Sequence, residues 1–265
     1  MYGIGGKLRC ERELMMKEDK KIVEWIVDYA ARSRKDALVV GISGGIDSAL
    51  ASTLCAETSM KTIVVSLPLH QAEKLHDLSM AQGAWLVKKY SNVEHRVIDL
   101  SDVYDVFIDL FSSEEKSGLS LANTKSRLRM VTLYQIASNH NGLVVGTGNK
   151  VEDFGVGFFT KYGDGGVDIS PIADLYKSEV WEMAKKLGVL QEIIGAPPTD
   201  GLWDDDRTDE QQIGATYEQL EWVMENLDKV DEMTDEQKKW VETYTKHHNA
   251  NLHKMLPIPV CKVST

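Results

Sequence analysis

The chain alternates between stretches with the period of a strand and stretches with the period of a helix. Short aliphatic runs predict buried strands at residues 37–42, 61–69, 94–100 and 143–148. Helical spacing of apolar residues predicts helices at 18–32, from about Asp47, and at 72–90, 101–111 and 123–139. Strands that are apolar on both faces and alternate with helices are typical of a covered parallel sheet. We therefore predict an α/β fold with helices on both faces of a parallel sheet.

The charge balance and the cysteine pattern narrow the classes of protein to which the chain can belong. Among 265 residues, 30 are Lys or Arg and 41 are Asp or Glu, giving a formal net charge of −11. Such a surface repels nucleic acid, so we expect no nucleic-acid partner. The scattered Cys10, Cys55 and Cys261 favour neither a disulfide framework nor a zinc site and suit a reducing compartment. No apolar run approaches the roughly 20 residues that span a bilayer, so we expect a cytoplasmic protein with no membrane partner.

Two glycine-bearing segments lie at the ends of predicted strands. Gly41–Gly45 follows the first strand, and Gly146–Gly148 closes the last one. Ligands of parallel α/β sheets bind at the carboxyl ends of the strands. The two segments are far apart in sequence, but parallel pairing of their strands would bring them side by side. We therefore expect the binding site where these two strand ends meet.

The first of these segments has the composition of a phosphate-binding turn. The string SGGIDS (43–48) follows a strand and opens a helix, whose free N–H groups and positive dipole end attract an anion. Its glycines permit close approach of the backbone, and Ser43 and Ser48 add hydroxyl donors. Asp47 would repel a phosphate unless a cation lay between them, which favours Mg²⁺ bound to a nucleotide polyphosphate. In the structural alternative, Asp47 caps the helix and the glycines form a tight turn.

Strings along most of the chain resemble one enzyme family. SGGIDS resembles the signature of ATP pyrophosphatases, which cleave ATP between its α and β phosphates. Later strings, at 123–130 (NTKSRLRM), 146–180 and 197–221, together resemble NAD synthetases, in order and through most of residues 18–255. The resemblance implies an adenine nucleotide α-hydrolase-like, Rossmann-like fold. It also implies a single domain over 18–265, after an N-terminal extension (1–17) that matches nothing in the family.

The resemblance implies an ATP site in which Asp47 and Lys177 are catalytic. Asp47 and Glu152 would bind Mg²⁺, and Lys177 would neutralise the phosphates of ATP. The residues that would contact ATP lie in the glycine turn and at three later positions: Gly41, Ile42, Ser43, Gly44, Gly45, Ile46, Asp47, Ser48, Thr147, Lys177 and Thr199. Taken alone, Thr147 and Thr199 could equally be turn hydroxyls that bond local backbone. Glu152 could be a solvated loop residue, and Lys177 is a cation at a helix start, where the dipole disfavours it.

The resemblance also implies a second site, for deamido-NAD⁺, whose free carboxylate needs fixed cations. The residues that would bind this substrate are Arg127, Lys161, Asp168, His253 and Lys254. Arg129 points to another face of the same predicted helix and is expected to be structural. In NKVE (149–152) the chain departs from the DHAAE string of many relatives: Glu152 is kept, but its approach to the site is altered.

Together these features predict ATP-dependent amidation of deamido-NAD⁺ with ammonia, through an adenylated nicotinate carboxylate, with release of AMP and pyrophosphate. The resemblance further implies a homodimer, with deamido-NAD⁺ near the subunit boundary beside the helix of Arg127. Since only residues 1–17 are unassigned, we expect no amidase domain, and ammonium rather than glutamine as nitrogen source. One alternative is another adenylating enzyme such as a tRNA thiolase, which would need CxxC cysteines and a basic surface. The other is a nucleotide-binding sensor, which would not need the second anion site.

Overall fold

A four-stranded parallel sheet forms the centre of the part of the chain that the computed structural model describes. That part comprises residues 4–70, 73–199, 201–202 and 207–263, with side chains from residue 18 onward except at 230–231. The strands are β1 (Ala37–Gly41), β2 (Lys61–Ser66), β3 (Val93–Val97) and β4 (Gly142–Val145). They are ordered β3-β2-β1-β4 and every pairing is parallel. This confirms the predicted α/β class.

Helices follow the strands and continue beyond the sheet. The first five α-helices are α1 (Ile4–Arg32), α2 (Ile46–Glu57), α3 (Glu73–Lys89), α4 (Ser101–Ile108) and α5 (Gly118–Asn139). The last five are α6 (Lys177–Leu187), α7 (Gln191–Ile194), α8 (Asp209–Ile213), α9 (Tyr217–Asn226) and α10 (Asp235–Met255). Short 3₁₀ segments lie at Ser113–Glu115 and Leu227–Glu232. A π-helix spans Lys150–Val156.

Alternate residues of the strands face opposite layers of helices, as the two-residue period of a strand requires. One face packs against α4 and α5 through Val39, Ile63, Val65 and Val144. The other packs against α1, α2 and α6 through Leu38, Val40, Leu143 and Val145. A separate apolar cluster joins the π-helix to α9 and α10 through Val151, Val156, Tyr217, Leu220, Val223 and Tyr244. The sheet is thus buried on both faces, and the π-helix is held from outside the sheet.

The predicted strands exist, but all four end earlier than their apolar runs, the first at Gly41 instead of residue 42. The strand predicted at 61–69 ends at Ser66, two residues before Pro68, which has no N–H to donate to a neighbouring strand. The strands predicted at 94–100 and 143–148 are Val93–Val97 and Gly142–Val145. Gly146 already leaves the sheet, because its N–H donates to the Ile169 carbonyl at 2.7 Å.

Helix boundaries differ most where a cap was missed. The helix predicted at 123–139 begins earlier, at Gly118. The Ser117 hydroxyl accepts a hydrogen bond from the Ser120 N–H and caps the helix there. The helix predicted at 18–32 begins at Ile4, so α1 continues without a break through the boundary proposed at residue 17. The acidic stretch at 199–210, which the sequence predicts as a loop, includes residue 200 and residues 203–206. These five residues lie outside the described residues.

Across the described residues, no helix combines the length and the apolar composition needed to cross a bilayer. The cytoplasmic location stays a prediction.

The order of the strands creates a switch point between β1 and β4. From β1 the chain moves to β2 and β3 on one side, and it then returns to pair β4 on the other side. Val40 pairs with Val145, so the segments that start at Gly41 and Gly146 leave the same edge of the sheet side by side. This confirms the expected meeting of the two glycine-bearing strand ends. Such a switch point is where open α/β sheets bind ligands.

Candidate active site

The turn Ser43–Ser48 is held in shape by its own hydroxyls. Ser48 Oγ accepts a hydrogen bond from the Ser43 N–H at 3.1 Å and donates to the Gly45 carbonyl at 2.9 Å. Gly44 has φ +91°, and a Cβ there would lie 2.5 Å from the Leu75 carbonyl oxygen, so only glycine fits. The N-cap of α2 is Gly45, without a side-chain bond, and Asp47 lies in the first turn. The alternative that Asp47 caps this helix is therefore wrong.

Asp47 and Glu152 meet across the switch point, as expected, with the Lys177 ammonium between them. Lys177 Nζ lies 2.6 Å from Asp47 Oδ2 and 2.9 Å from Glu152 Oε1, and the lysine side chain is 1% exposed. Lys177 is the first residue of α6, where the helix dipole disfavours a cation. The negative charges of the two carboxylates compensate for this unfavourable position of the ammonium. Glu152 is therefore not a solvated loop residue.

Asn149 and Tyr217, two residues that the sequence did not indicate, hold the carboxylates from behind. Asn149 Nδ2 donates to Asp47 Oδ1 at 3.0 Å. The Tyr217 hydroxyl donates to Glu152 Oε1 at 2.6 Å and lies 3.3 Å from Asp209 Oδ2. Lys177 Nζ also lies 4.8 Å above the centre of the Tyr217 ring, within the range of a cation–π contact. In sequence, Asn149 belongs to a turn and Tyr217 to an apolar helix face, so neither carried a chemical signal.

The cluster of Asp47, Glu152 and Lys177 carries one net negative charge when all three groups are ionised. Burial raises the pKa of Asp47, and Lys177 offsets that effect only in part. Burial also acts to raise the pKa of Glu152, but Lys177 and the Tyr217 hydroxyl outweigh it and hold this pKa below its ordinary value. Burial opposes the charge of Lys177, yet the two carboxylates raise the pKa of its ammonium. The lysine therefore stays protonated at neutral pH.

A cavity of about 810 Å³ opens at the switch point and contains both predicted sites. Its wall includes the whole glycine turn, Gly41–Ser48, and the other residues predicted for ATP: Thr147, Lys177 and Thr199. Glu152, predicted for Mg²⁺, lies on the same wall. Four of the five residues predicted for deamido-NAD⁺ also line it: Arg127, Lys161, His253 and Lys254. The structure thus brings residues from four distant parts of the sequence to one cavity.

The cations on the second part of the wall bond only backbone carbonyls. Arg127 Nε donates to the Lys161 carbonyl at 3.3 Å, and Lys161 Nζ to the His253 carbonyl at 3.0 Å. Lys254 Nζ donates to the Phe159 carbonyl at 2.7 Å, and burial lowers the pKa of this ammonium. Among the described side chains, none of these three cations forms an ion pair with a carboxylate. The charges of Asp164 and Asp153 act to raise the pKa of Lys254, so the positive charge left for an anionic ligand is that of Arg127 and Lys161.

Asp168 is the predicted site residue that the structure does not bring to the cavity wall. Its Oδ2 accepts a hydrogen bond from the Val144 N–H at 2.8 Å, and its Oδ1 from the Tyr134 hydroxyl at 3.1 Å. It therefore braces β4 against α5, at an exposed position. Arg129 donates to the Leu67 carbonyl at 3.1 Å but also lines the cavity, so the expectation that it points away from the site is wrong.

The two threonines differ in their surroundings. The Thr199 hydroxyl donates to the Arg207 carbonyl at 3.1 Å and accepts from the Gly201 N–H at 3.3 Å, so it bonds local backbone while it lines the cavity. Thr147 lies on the wall between β4 and the π-helix. A contact of either hydroxyl with ATP stays a prediction.

Asp153 is a further acidic residue on the wall that the sequence did not single out. It lies in the π-helix beside Glu152, and a Cβ at Gly148 would fall 2.0 Å from its Oδ2. Burial raises the pKa of Asp153 well above its ordinary value, and the charges of Glu152 and Asp164 add to the shift. Gly148 is thus required by the close approach of a carboxyl group rather than by a turn.

A phosphate-binding turn at the switch point of a covered parallel sheet defines an α/β nucleotide-binding protein. The family follows from a model described as NAD synthase, which matches residues 18–257. The chain belongs to this family, which confirms the resemblance seen in its motifs. A protein of Alkaliphilus metalliredigens named NH(3)-dependent NAD(+) synthetase is 38% identical over 259 residues, covering 93% of this chain and 99% of that protein. One of the same name from Methanosarcina acetivorans is 38% identical over 213 residues, covering 80% and 82%.

Solved structures are similar over nearly the whole chain. The structure of an NMN synthetase from Francisella tularensis matches with a TM-score of 0.83 and 30% identity, covering 93% of this chain and 98% of that one. An NH3-dependent NAD synthetase from Campylobacter jejuni matches with a TM-score of 0.76 and 28% identity, covering 94% and 99%. The chain is therefore an enzyme of the NAD synthase family with the fold of that family.

Proposed function

We propose that this chain catalyses the ATP-dependent amidation of deamido-NAD⁺ with ammonia to NAD⁺. The observation that carries the proposal is the division of one cavity into two charged parts. A phosphate turn lies beside a buried carboxylate–lysine cluster, and cations without carboxylate partners lie on the other part of the wall. The first part suits ATP and the second suits an anionic acceptor. The names of the family relatives support ammonia as the nitrogen donor.

In the first step, an oxygen of the nicotinate carboxylate attacks the α-phosphorus of ATP. A phosphorus–oxygen bond forms to the acceptor, the bond between the α and β phosphates breaks, and pyrophosphate leaves. The turn Ser43–Ser48 would hold the leaving group through backbone N–H groups at the start of α2. Lys177 would stay protonated and neutralise phosphate charge, and Arg127 and Lys161 would hold the acceptor.

In the second step, ammonia attacks the carbonyl carbon of the adenylated carboxylate. A carbon–nitrogen bond forms, the carbon–oxygen bond to AMP breaks, and one proton leaves the nitrogen. No side chain becomes a nucleophile in either step. The contribution of the chain is alignment of the reactants and stabilisation of charge.

Asp47 and Glu152 fit a site for Mg²⁺. Across the described residues no group of three or more His, Cys, Asp or Glu side chains could hold a metal ion. Mg²⁺ is nevertheless commonly bound by one or two carboxylates together with substrate phosphates, and these two carboxylates face the phosphate turn from opposite sides of the switch point. When bound, the ion would neutralise charge on the leaving phosphates. The net negative charge of the carboxylate–lysine cluster favours binding of such a cation.

We also propose a homodimer that uses α4, α5 and the segment between them. Large apolar side chains are exposed along this part of the chain: Val103, Val106, Phe107, Leu110, Phe111, Leu119 and Val131. A contiguous apolar surface of this kind marks an interface, and a two-fold contact between copies is the commonest arrangement. Because Arg127 also lies on α5, the acceptor would bind close to the subunit boundary. Leu110→Glu should convert a dimer to a monomer in light scattering, and a monomeric wild type would contradict this proposal.

A second candidate acceptor is the mononucleotide that lacks the adenylate half of deamido-NAD⁺. It is favoured by the Francisella tularensis structure, whose name assigns NMN as the product and whose TM-score with this chain is 0.83. The same nicotinate carboxylate would be amidated in both cases. The two acceptors differ in whether the cavity wall beside α5 must hold a second nucleotide.

The experiment offers ATP, Mg²⁺ and ammonium with each acceptor in turn, and measures the amide product and pyrophosphate. We expect NAD⁺ from deamido-NAD⁺, with pyrophosphate formed only when an acceptor is present. A higher kcat/KM for the mononucleotide would favour the second candidate. Pyrophosphate release without any acceptor would favour another adenylating enzyme. ATP binding without release of pyrophosphate would favour a sensor. A further arm replaces ammonium with ammonia-free glutamine, which we expect to fail.

A further inference from the structure

Asn149 is a fully buried residue with polar contacts in two directions. Its Oδ1 accepts hydrogen bonds from the N–H groups of Val151 at 3.0 Å and Glu152 at 3.1 Å. Its Nδ2 donates to Asp47 Oδ1 at 3.0 Å. Two N–H donors face one end of the amide and a carboxylate faces the other, so the hydrogen bonds fix which end is oxygen. The side chain itself is 0% exposed.

The two contacts have different requirements. Capping the π-helix needs only an acceptor, which Ser, Thr or Asp would supply as well as Asn. The bond to Asp47 needs a donor, which an aspartate lacks and a serine is too short to place in the same way. Among the good N-cap residues, asparagine alone combines a side-chain acceptor with an amide donor. The residue type at 149 is therefore explained by the bond to Asp47 and not by the cap.

This bond joins two elements that are distant in sequence. Asp47 lies in the first turn of α2, and Asn149 opens the helix that carries Glu152, 102 residues further along the chain. The same helix start is thus bonded to Asp47 through Asn149 and to Lys177 through Glu152. Two like-charged carboxylates repel one another, so a fixed separation between them requires donors on both. Apart from Lys177, the Tyr217 hydroxyl donates to Glu152 and Asn149 Nδ2 donates to Asp47.

We propose that Asn149 is a positioning residue, which holds Asp47 at a fixed distance from Glu152 so that both carboxylates face the phosphates of ATP and its Mg²⁺. This inference rests on the proposed function. It also gives a physical reason for the asparagine in the string NKVE (149–152). Outer contacts that orient carboxylates around a metal site change metal affinity or activity by about 10- to 100-fold when removed.

The test compares variants that keep the cap with a variant that loses it. Asn149→Ser keeps an acceptor for the helix N–H groups but loses the donor to Asp47. We expect a melting temperature close to that of the wild type, with kcat reduced about 10- to 100-fold and an unchanged KM for deamido-NAD⁺. The Mg²⁺ concentration that half-saturates ATP binding, measured by titration calorimetry, should rise by a similar factor.

Asn149→Asp should be more impaired than Asn149→Ser, because it places a carboxylate against Asp47. Asn149→Ala should in addition lose stability with the cap.

Asn92→Ser is the matched control. Asn92 Nδ2 donates to the carbonyls of Ala56 and Met60 at 3.0 and 2.8 Å, away from the cavity wall. We expect this variant to change stability without changing the Mg²⁺ dependence of ATP binding. If Asn149→Ser does not fold, Asn149→Thr, which also keeps an acceptor for the helix N–H groups but has no amide donor, is measured in its place.

Wild-type kcat together with wild-type Mg²⁺ dependence in the measured Asn149 variant would overturn the proposal. A loss of kcat that only matches the loss of folded protein would overturn it too. The calorimetric measurement needs no acceptor, so it remains decisive if the amidation assay fails. Failure of that assay with the wild type would contradict the proposed function and leave the role of Asn149 to the binding data.

Discussion

The two parts of the cavity wall solve the problem of charge in opposite ways. In the part proposed for ATP (the ATP part), Lys177 lies between two carboxylates, and Asn149 and Tyr217 bond those carboxylates from behind. In the part proposed for the acceptor (the acceptor part), Arg127, Lys161 and Lys254 donate to backbone carbonyls. The buried groups of the ATP part therefore hold one another in place without a ligand. In the acceptor part, Arg127 and Lys161 form no ion pair with a described carboxylate, so an anionic ligand would supply the opposite charge.

This difference predicts how each part responds to substitution. Removing a group from the ATP part leaves a buried partner unpaired, so stability and turnover should both suffer. Removing a cation from the acceptor part leaves only a carbonyl without its donor, so the loss should appear as weaker binding of one substrate. The four predictions below test this distinction, from the largest expected effect to the smallest.

Lys177→Met should have the largest effect, because it leaves Asp47 and Glu152 facing one another without the ammonium. Breaking a buried ion pair in this way costs about 3–5 kcal/mol of unfolding free energy, and turnover should be abolished. The deficit measured by urea unfolding should shrink as pH falls, since protonation of either carboxylate removes the repulsion. Lys150→Met is the control: its partner Asp174 is 99% exposed, and a loss of about 0–1 kcal/mol is expected. Equal losses in the two variants would contradict the comparison.

Asp47→Asn should separate turnover from stability. The carboxylate–lysine cluster carries one excess negative charge, so this change leaves Lys177 paired with Glu152 and the protein folded. We expect kcat to fall by a factor on the order of 100 or more, because one of the two carboxylates that would hold Mg²⁺ at the leaving phosphates is lost. Single-turnover kinetics and thermal unfolding check both parts. Asp174→Asn, at an exposed ion pair, should be silent, and near-normal turnover of Asp47→Asn at saturating Mg²⁺ would exclude the assigned role.

Lys161→Met should affect the acceptor alone. A hydrogen bond to a charged group is worth about 1.5–3 kcal/mol, so the KM for deamido-NAD⁺ should rise about 10- to 100-fold. The KM for ATP and the unfolding free energy should hardly change, because Lys161 has no buried partner to leave behind. Steady-state kinetics with each substrate varied in turn measure the split. A rise in the KM for ATP of the same size would show that the two parts of the wall are not independent.

The smallest effect is expected at a chain of hydrogen bonds that ends at the Ile42 carbonyl, next to the turn Ser43–Ser48. Ser79 Oγ donates to the Ile42 carbonyl at 2.7 Å, Ser66 Oγ lies 2.7 Å from Ser79 Oγ, and His95 Nε2 lies 2.9 Å from Ser66 Oγ. Burial lowers the pKa of His95, so between its folded and unfolded pKa values the unfolded chain binds more protons. Stability should therefore be lost as pH falls below about 6.5, the ordinary value for histidine. His95→Gln should flatten that slope in urea unfolding between pH 7 and 5, and an unchanged slope would contradict the prediction.

The sequence by itself determined the sheet, the phosphate turn and the family. Aliphatic runs such as 37–42 and 143–148 predict buried strands because the pattern of apolar residues that indicates a strand is contiguous in the chain. The string SGGIDS predicts its turn because the glycines, the hydroxyls and the start of α2 are contiguous in the chain. The meeting of the two glycine-bearing strand ends was expected from parallel pairing alone, and the structure adds the register, with Val40 opposite Val145.

Only the tertiary structure decided the partners of the charged groups. From the sequence alone, Lys177 is a cation at a helix start, where the dipole disfavours it. In the structure, α6 places it against Asp47, 130 residues away in sequence, and against Glu152. Asn149 and Tyr217 carried no signal, because a buried hydrogen bond depends on which elements pack together and not on neighbours in sequence. For the same reason Asp168, which matched the family motif, lies off the wall: the Val144 N–H and the Tyr134 hydroxyl bind its two oxygens. Local chemistry thus determined what each segment can do, and packing across the switch point determined which segments do it together.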